Sequence, residues 1–176
     1  MLLEEEPDKQ IAIIDSKATG PEEAMLIRRA RDLILEGKSF GEIEKDLNEA
    51  AERIHTSFAL SSYHNLIKSG RVSRLIGFIA GHLGFWGIGI GDEKGEIAIR
   101  GKARGSKSMI RFLTEEIGKV GLAGRQILIS HCQNEKDALA LKASLEAANP
   151  GVEVLVQPTR GLDSFYAERS GLIVGY

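Results

Sequence analysis

The sequence predicts an α+β protein of mixed α/β layers, in which helices flank a central, mostly antiparallel or mixed sheet of about six strands. Amphipathic helical patterns alternate with short apolar runs along the chain, and one pair of runs is joined by a tight turn. Because a hairpin pairs antiparallel strands whereas a helical crossover permits parallel pairing, the two patterns together indicate a mixed sheet. The 176 residues contain no repeat and no glycine-serine linker, which favours one domain.

The N-terminal part predicts two strands separated by two helices. Gln10–Ile14 is an apolar run rich in β-branched residues and is typical of a buried strand. Pro21 opens a helix followed by acidic residues, and Ser39 and Glu42 have capping-box spacing at the start of the next helix. The second strand is Thr56–Leu60.

Two short helices are predicted in the middle of the chain. Ser61 and Ser62 cap a helix that ends at Gly70. Ser73 caps another helix, from Arg74 to about Leu83, which is apolar on most of its circumference.

A β-hairpin follows, with strands near Trp86–Ile90 and Ile97–Gly101 and a turn at Asp92–Gly95. Glycines occupy one whole face of its first strand: Gly87, Gly89 and Gly91. A strand face without side chains indicates either a closely packed neighbour or a cavity.

The last third predicts helices and strands in alternation. The expected order is a helix at 106–119 capped by Ser106, a strand at 126–130, a helix at 134–147, a strand at 152–157, a short helix at 162–169 and a strand at 172–174.

Composition disfavours several classes of protein. Charged residues make up 27% of the chain at a net charge of -2, so no basic field attracts nucleic acid. The longest apolar run is interrupted by glycines, so no integral membrane segment is expected. The single cysteine and the lack of a signal peptide indicate the cytoplasm.

Arg71 stands in the glycine turn Ser69-Gly70-Arg71 and is a candidate anion-binding residue. A guanidinium there can form two parallel hydrogen bonds to a planar carboxylate. Alternatively, Arg71 is a solvated turn residue. The apolar helix that follows would suit a ligand with a charged head and a long apolar tail. Its candidate wall residues are Leu75, Ile76, Phe78, Ile79 and Leu83, for which the alternative is an ordinary core.

Arg104 is the second candidate anion-binding residue. Alternation along the second hairpin strand places five residues on one face, and the face becomes basic toward its end: Glu96, Ala98, Arg100, Lys102 and Arg104. The strand leads into the helix capped by Ser106, so Arg104, Lys107 and the helix N-terminus favour a carboxylate or phosphate. The alternative is a solvated basic edge.

No pattern indicates catalysis. The four histidines lack metal-ligand spacing, and His131 and Cys132 do not form a nucleophile pair merely by adjacency. The sequence therefore predicts a binding protein with no catalytic residue, no metal and no cofactor.

Three stretches of the sequence resemble the C-terminal domain of the DegV family of bacterial fatty-acid-binding proteins. They are "IAIIDSKATGPEEAMLIRRARDLILEGKSFGEIEKDL", "FALSSYHNLIKSGRVSRL" and "GKARGSKSMIRFLTEEI", which contain the signatures IDS, L-x-K-x-G-R and G-K-x-R-G in order and spacing. The resemblance implies a DegV-like C-terminal domain over residues 10–176 and the tail of a helix from a missing N-terminal domain over residues 1–9.

The resemblance also implies a function. In this family a two-domain protein holds a long-chain fatty acid between its domains, and some members present the carboxylate to a separate fatty acid kinase that makes acyl phosphate for phospholipid synthesis. The family's two arginines correspond to Arg71 and Arg104, which would bind the head group or meet the kinase. A competing hypothesis is an enzyme or regulatory domain that binds a phosphorylated small metabolite through Arg104 and Lys107.

The chain departs from the family pattern at Tyr166. Family members often have a His-Thr-Gly-Pro-Gly loop, and Tyr166 stands about where its histidine lies. A phenol donates a hydrogen bond but does not titrate near neutral pH. The family's serine and threonine that hold the carboxylate belong to the N-terminal domain. Without that domain, the 176-residue chain should bind lipid poorly.

Overall fold

The computed structural model describes residues 9–71 and 84–176. Its helices are α1 (Pro21–Leu35), α2 (Phe40–Ala51), α3 (His64–Lys68), α4 (Gly105–Gly118), α5 (Glu135–Ala148) and α6 (Gly161–Ala167). Its strands are β1 (Thr56–Leu60), β2 (Phe85–Gly91), β3 (Ile97–Arg104), β4 (Gln126–His131), β5 (Glu153–Pro158) and β6 (Leu172–Gly175).

The strands form one six-stranded sheet in the order β3-β2-β1-β6-β4-β5. Every neighbouring pair is antiparallel except β4 and β5, which are parallel because α5 crosses between them. The predicted α+β class and mixed sheet are confirmed. The last strand in sequence, β6, lies in the middle of the sheet.

One face of the sheet is covered by α4 and α5. Met109, Leu113 and Ile117 recur every four residues along α4, so they form a single apolar stripe with no exposed surface. This stripe packs on buried strand residues such as Ile88 and Ile129. The main hydrophobic core therefore lies between the sheet and these two helices.

The described residues cover the opposite face only in parts. Helix α1 packs on β6 and β4. It approaches β6 closely because Gly175 has no side chain. A Cβ at Gly175 would lie 3.1 Å from the backbone nitrogen of Glu22. Strands β1, β3 and β6 carry a second apolar cluster on this face, which contains Phe58, Leu60 and Ile173 and is partly covered by α3 and α6. We call the part of the sheet surface that carries this cluster the open face.

The capping box at the start of α2 is confirmed. The backbone nitrogen of Glu42 donates to Oγ of Ser39 at 3.4 Å, and the backbone nitrogen of Ser39 donates to Oε2 of Glu42 at 2.9 Å. These bonds satisfy donors that the first turn of a helix otherwise leaves unpaired.

The strand predicted at Gln10–Ile14 is wrong. Residues 9–20 pair with no strand of the sheet, and Ile13 is 79% exposed. A β-branched run indicates apolar character, but a strand also needs a free sheet edge at the right place, and this segment instead runs past the β2–β3 turn, with the Lys17 carbonyl beside Gly95. The helix predicted from Arg74 to Leu83 lies outside the described residues.

The hairpin is confirmed, but the predicted alternation along β3 is wrong. Ile88 pairs with Gly101 and Gly89 pairs with Ile99, so Arg100 is an extra residue in a β-bulge. The bulge puts Arg100 on the α4 side of the sheet, where its Nε lies 3.6 Å from Oε1 of Glu116.

The bulge also changes which residues share a face. Lys102 and Arg104 lie across from Gly87 and Phe85, on the open face, whereas Ala98 lies across from Ile90 and faces the helices. The two basic residues therefore share a face with the second apolar cluster and not with Ala98 and Arg100.

Candidate functional site

The open face contains a cavity of about 130 Å³, which we call the hairpin pocket. Its lining is predominantly apolar and comes from β1, β2, β3, β6, α3, α6 and residues 17–19, with Arg71 and Gly95. The main apolar contributors are Phe58, Leu60, Leu66, Ile97, Tyr166 and Ile173. A concave apolar surface with a few polar groups is the usual form of a small-molecule site.

The glycine face of β2 forms part of this region, as the sequence predicted. A side chain at Gly87 would overlap the phenol of Tyr63, and one at Gly89 would overlap the ring of Phe58. The two rings therefore lie directly on the strand backbone. Burial raises the pKa of the Tyr63 phenol, so the phenol is neutral, and its oxygen has no hydrogen-bond partner among the residues described.

Arg71 lies at the rim of the hairpin pocket and Tyr166 in its wall. The Arg71 guanidinium carbon is 5.0 Å from the centre of the Tyr166 ring, which is a cation–π contact. The sequence singled out both residues, and the structure brings them together although 94 residues of the chain lie between them.

The turn before Arg71 fixes its position. Gly70 has φ of 75°, a left-handed conformation that glycine adopts without strain. The backbone nitrogen of Gly70 donates to the Ile67 carbonyl at 3.0 Å, and that of Arg71 donates to the Leu66 carbonyl at 3.1 Å. These two bonds form a Schellman motif, so Arg71 leaves α3 at a defined angle toward the pocket.

Glu168 holds α3 against α6. Its Oε1 accepts a hydrogen bond from the backbone nitrogen of Asn65 at 2.8 Å, and its Oε2 accepts one from the Ser62 hydroxyl at 2.5 Å. The Asn65 side chain in turn donates to the Phe165 carbonyl at 2.8 Å. Glu168 thus supplies an acceptor for the first turn of α3. Of the two serines predicted to cap this helix, Ser62 accepts a hydrogen bond from the backbone nitrogen of His64 at 3.4 Å, whereas the Ser61 hydroxyl donates to the Arg169 carbonyl.

Arg104 lies on the same face as Arg71 but does not line the hairpin pocket. Its guanidinium carbon is 5.9 Å from the centre of the Phe85 ring, and Nζ of Lys102 is 5.7 Å from the same ring. Phe85 lies two residues from Gly87, the register partner of Leu60. Arg104 is therefore beside the end of β1 that leads toward α3 and Arg71.

The phosphate site predicted at the start of α4 is not supported. The residue before α4 is Arg104, so Ser106 lies inside the first turn and is not the cap. The Ser106 hydroxyl donates to Oδ2 of Asp137 at 2.7 Å, and Asp137 is buried. A resident carboxylate already complements this helix terminus, which disfavours a bound phosphate there.

A second cavity of about 210 Å³ lies at the carboxyl ends of β4 and β5, and several of its polar groups are already hydrogen-bonded within the protein. The Gln157 side chain donates to Oγ of Ser130 at 3.2 Å, and the Thr19 hydroxyl donates to Oδ1 of Asp163 at 3.0 Å. In residues 9–71 and 84–176 no group of three or more His, Cys, Asp or Glu side chains could hold a metal ion. Within the same ranges no helix is long and apolar enough to cross a membrane.

The predicted wall residues lie outside the described residues: Leu75, Ile76, Phe78, Ile79 and Leu83. Sequence reasoning missed Phe58, Tyr63 and Glu168. Alternation within β1 could have assigned Phe58 and Leu60 to one face. No local pattern reveals Glu168, because it caps a helix about 100 residues earlier in the chain.

The chain matches known proteins over nearly its whole length. The model of the DegV family, described as a family of uncharacterised proteins, matches residues 1–167. A DegV domain-containing protein of Streptococcus pneumoniae is 37% identical over 174 residues, which are 99% of this chain and 62% of that protein. The chain belongs to the DegV family.

Solved structures of DegV proteins share this fold. The fatty acid kinase B3 protein of Streptococcus pneumoniae, loaded with linoleic acid, matches with a TM-score of 0.93 at 37% identity, over 99% of this chain and 62% of that one. A DegV family protein of Eubacterium eligens, loaded with heptadecanoic acid, matches with a TM-score of 0.92 at 33% identity, over 99% of this chain and 63% of that one. The present chain thus spans about 62% of the length of the DegV relatives that it matches.

Proposed function

We propose that this chain is part of a DegV protein that binds a long-chain fatty acid at the hairpin pocket, with the carboxylate directed toward Arg71. The observation that carries the proposal is an apolar cavity with Arg71 at its rim and Tyr166 in its wall, on a fold whose relatives hold linoleic and heptadecanoic acids. Arg71 and Tyr166 supply the charge and a hydrogen-bond donor that an anionic head group needs.

The physical chemistry of the pocket suits a carrier. Each methylene group removed from water contributes about 0.8 kcal/mol, so a long acyl chain supplies most of the affinity. A charge-assisted hydrogen bond to the carboxylate adds about 1.5 to 3 kcal/mol and fixes the direction of binding. Nothing in this arrangement requires a reaction, and we propose a non-catalytic carrier that acts in the cytoplasm.

The remaining parts of the proposal concern regions beyond the hairpin pocket. We propose that an N-terminal domain, with residues 1–9 as the end of one of its helices, covers the open face and completes the site. The share of each relative that this chain covers supports a further domain. The wall residues between Leu75 and Leu83 would line the acyl chain within such a protein.

We propose a fatty acid kinase as the protein partner. The name of the Streptococcus pneumoniae relative supports it. Arg104 and Lys102, on the open face beside Phe85, are positioned to contact such a partner or the head group.

Lipid mass spectrometry tests the binding proposal. The protein would be expressed as the longest natural chain that contains these residues, and bound lipid would be extracted and identified. We expect long-chain fatty acids, and we expect Arg71→Ala to weaken uptake of a labelled fatty acid about tenfold or more, since it removes a charge-assisted bond. Arg111→Ala is the matched control, because Arg111 is an exposed arginine on α4, across the sheet.

Two outcomes would contradict the proposal. In the first, no fatty acid is extracted from the wild-type protein and it takes up none that is added. In the second, inorganic phosphate and nucleotides bind in place of lipid. The second outcome would favour the competing hypothesis of a phosphorylated metabolite. Equal uptake by wild type and Arg71→Ala would remove Arg71 from the site.

A further inference from the structure

Gly91 is a strand glycine that the fold does not require. Its φ is not in the left-handed region, so any residue could adopt its backbone conformation. A Cβ at Gly91 would lie 3.4 Å from Cβ of Thr56 and 3.6 Å from Oγ1 of Thr56, which is ordinary contact. By contrast, Gly87 and Gly89 are required, because the Tyr63 and Phe58 rings occupy the space above them.

A glycine without a structural reason is unfavourable in a strand. Glycine loses more conformational freedom on folding than alanine, and it offers no side chain for packing. Among the described residues, only Thr56 has atoms within 4 Å of a Cβ at Gly91, and Gly91 lines the hairpin pocket. The missing side chain therefore leaves room for something other than the described part of the chain.

The hairpin pocket has two distinct ends. Thr56, Phe58 and Leu60, alternate residues of β1, all line it, so it extends along the strand for about 13 Å at about 3.3 Å per residue. The Leu60 end leads into α3 and Arg71. The Thr56 end lies beside Gly91, at the far end from Arg71.

The direction of binding decides which end of a ligand reaches Gly91. Lys17 and Thr56 line the pocket near Gly91 together with apolar side chains, so the lining alone does not set this direction. With the carboxylate at Arg71, as proposed above, the methyl end of the acyl chain points toward Gly91.

We propose that Gly91 keeps the far end of the hairpin pocket open for the methyl end of the acyl chain, and so sets the longest fatty acid that the protein accepts. This inference rests on the proposed binding of a fatty acid. It assigns selectivity for chain length to one position of β2 and adds no new ligand.

Substitution at Gly91 tests the inference. In the longest natural chain that contains these residues, affinities of wild type, Gly91→Ala and Gly91→Val would be measured for saturated fatty acids of increasing length. We expect the longest acids to bind Gly91→Val more weakly, about fourfold for each methylene group displaced into water, while shorter acids bind as in wild type. Gly91→Ala should show the same pattern to a smaller extent.

Gly41→Ala is the control for glycine replacement as such. Gly41 lies in α2, and a Cβ there would meet no atom within 4 Å, so chain-length selectivity should be unchanged. Thermal melts would verify folding, and Gly91→Ala provides the readout if the valine variant does not fold. An unchanged profile in both folded Gly91 variants, or equal weakening at every length, would overturn the inference and leave fatty acid binding intact. No fatty acid binding by wild type would instead refute the proposed function.

Discussion

Glu22 places a carboxyl group in the interior, in the first turn of α1, where it is 1% exposed. Neither of its oxygens has a hydrogen bond of standard geometry within the described ranges. Burial raises the pKa of Glu22 to about 7, although the nearby Thr56 hydroxyl opposes the shift. Glu22 is therefore protonated at mildly acidic pH and is ionised only at a cost to stability.

The pH dependence of unfolding should reveal this acid. The unfolded chain ionises Glu22 near its ordinary pKa of 4.5, whereas the folded chain retains the proton up to about 7. The stability from Glu22 is thus fully present below pH 4.5 and is lost as pH rises through about 7, with a total of about 3 kcal/mol. In denaturant unfolding between pH 4 and 8, the free energy of unfolding should decline less with rising pH for Glu22→Gln than for wild type.

Glu44→Gln is the matched control, since Glu44 is exposed on α2 and is not among the charges that raise the pKa of Glu22. It should keep the wild-type pH profile. If the Glu22→Gln and wild-type profiles run parallel from pH 4 to 8, Glu22 does not titrate with a raised pKa.

At the scale of elements, the pairing of α3 with α6 positions Arg71 beside Tyr166. Glu168 makes the hydrogen bonds that join these short helices. A five-residue helix has too few internal bonds to be stable alone, so it depends on such contacts. The head-group end of the pocket is therefore built from contacts that are distant in sequence.

Removing the Glu168 carboxylate should loosen α3. We expect Glu168→Ala to lower the free energy of unfolding by about 1 to 2 kcal/mol, as loss of a helix cap does. The backbone amide of Asn65 donates a hydrogen bond to Glu168, so its hydrogen exchange should be faster in the variant, while the amides of α4 keep their protection. Glu93→Ala, at an exposed turn position, is the control. Unaltered exchange at Asn65 would show that another group caps the helix.

At the scale of the whole molecule, β6 joins the two halves of the sheet. Val174 is fully buried and pairs with Ser57 of β1 on one side and Ile129 of β4 on the other. The hairpin half and the β4–β5 half therefore depend on one strand, and we expect a single cooperative unfolding transition.

A charge on β6 should disrupt the whole sheet. Val174→Asp places an unpaired carboxylate between β1 and β4, and we expect a loss of about 3 to 5 kcal/mol or complete unfolding. Val120→Asp, at a position that is 37% exposed, should change stability little. Circular dichroism melts of the two variants make the comparison. A Val174→Asp protein that melts like wild type would contradict this role for β6.

Features that depend on neighbouring residues could be predicted from the sequence, whereas contacts between distant residues could not. Ser39 and Glu42 predicted their own capping box, because its partners are three residues apart. The register along β3 was mispredicted because one extra residue, Arg100, reverses the alternation beyond it. Ser106 was predicted to cap α4, but its hydroxyl donates a hydrogen bond to Asp137, 31 positions away. No local pattern encodes a contact at that distance.

The sequence by itself determined the fold class, most helices and strands, the hairpin and the family, since periodicity, turn residues and local motifs depend on neighbouring positions. It also singled out Arg71 and Tyr166, through family signatures. The tertiary structure alone decided that these two residues meet, that Phe58 and Tyr63 lie on two glycines of β2, and that the third, Gly91, remains open. Those features depend on strand register and on packing between distant segments, which are fixed only when the sheet assembles.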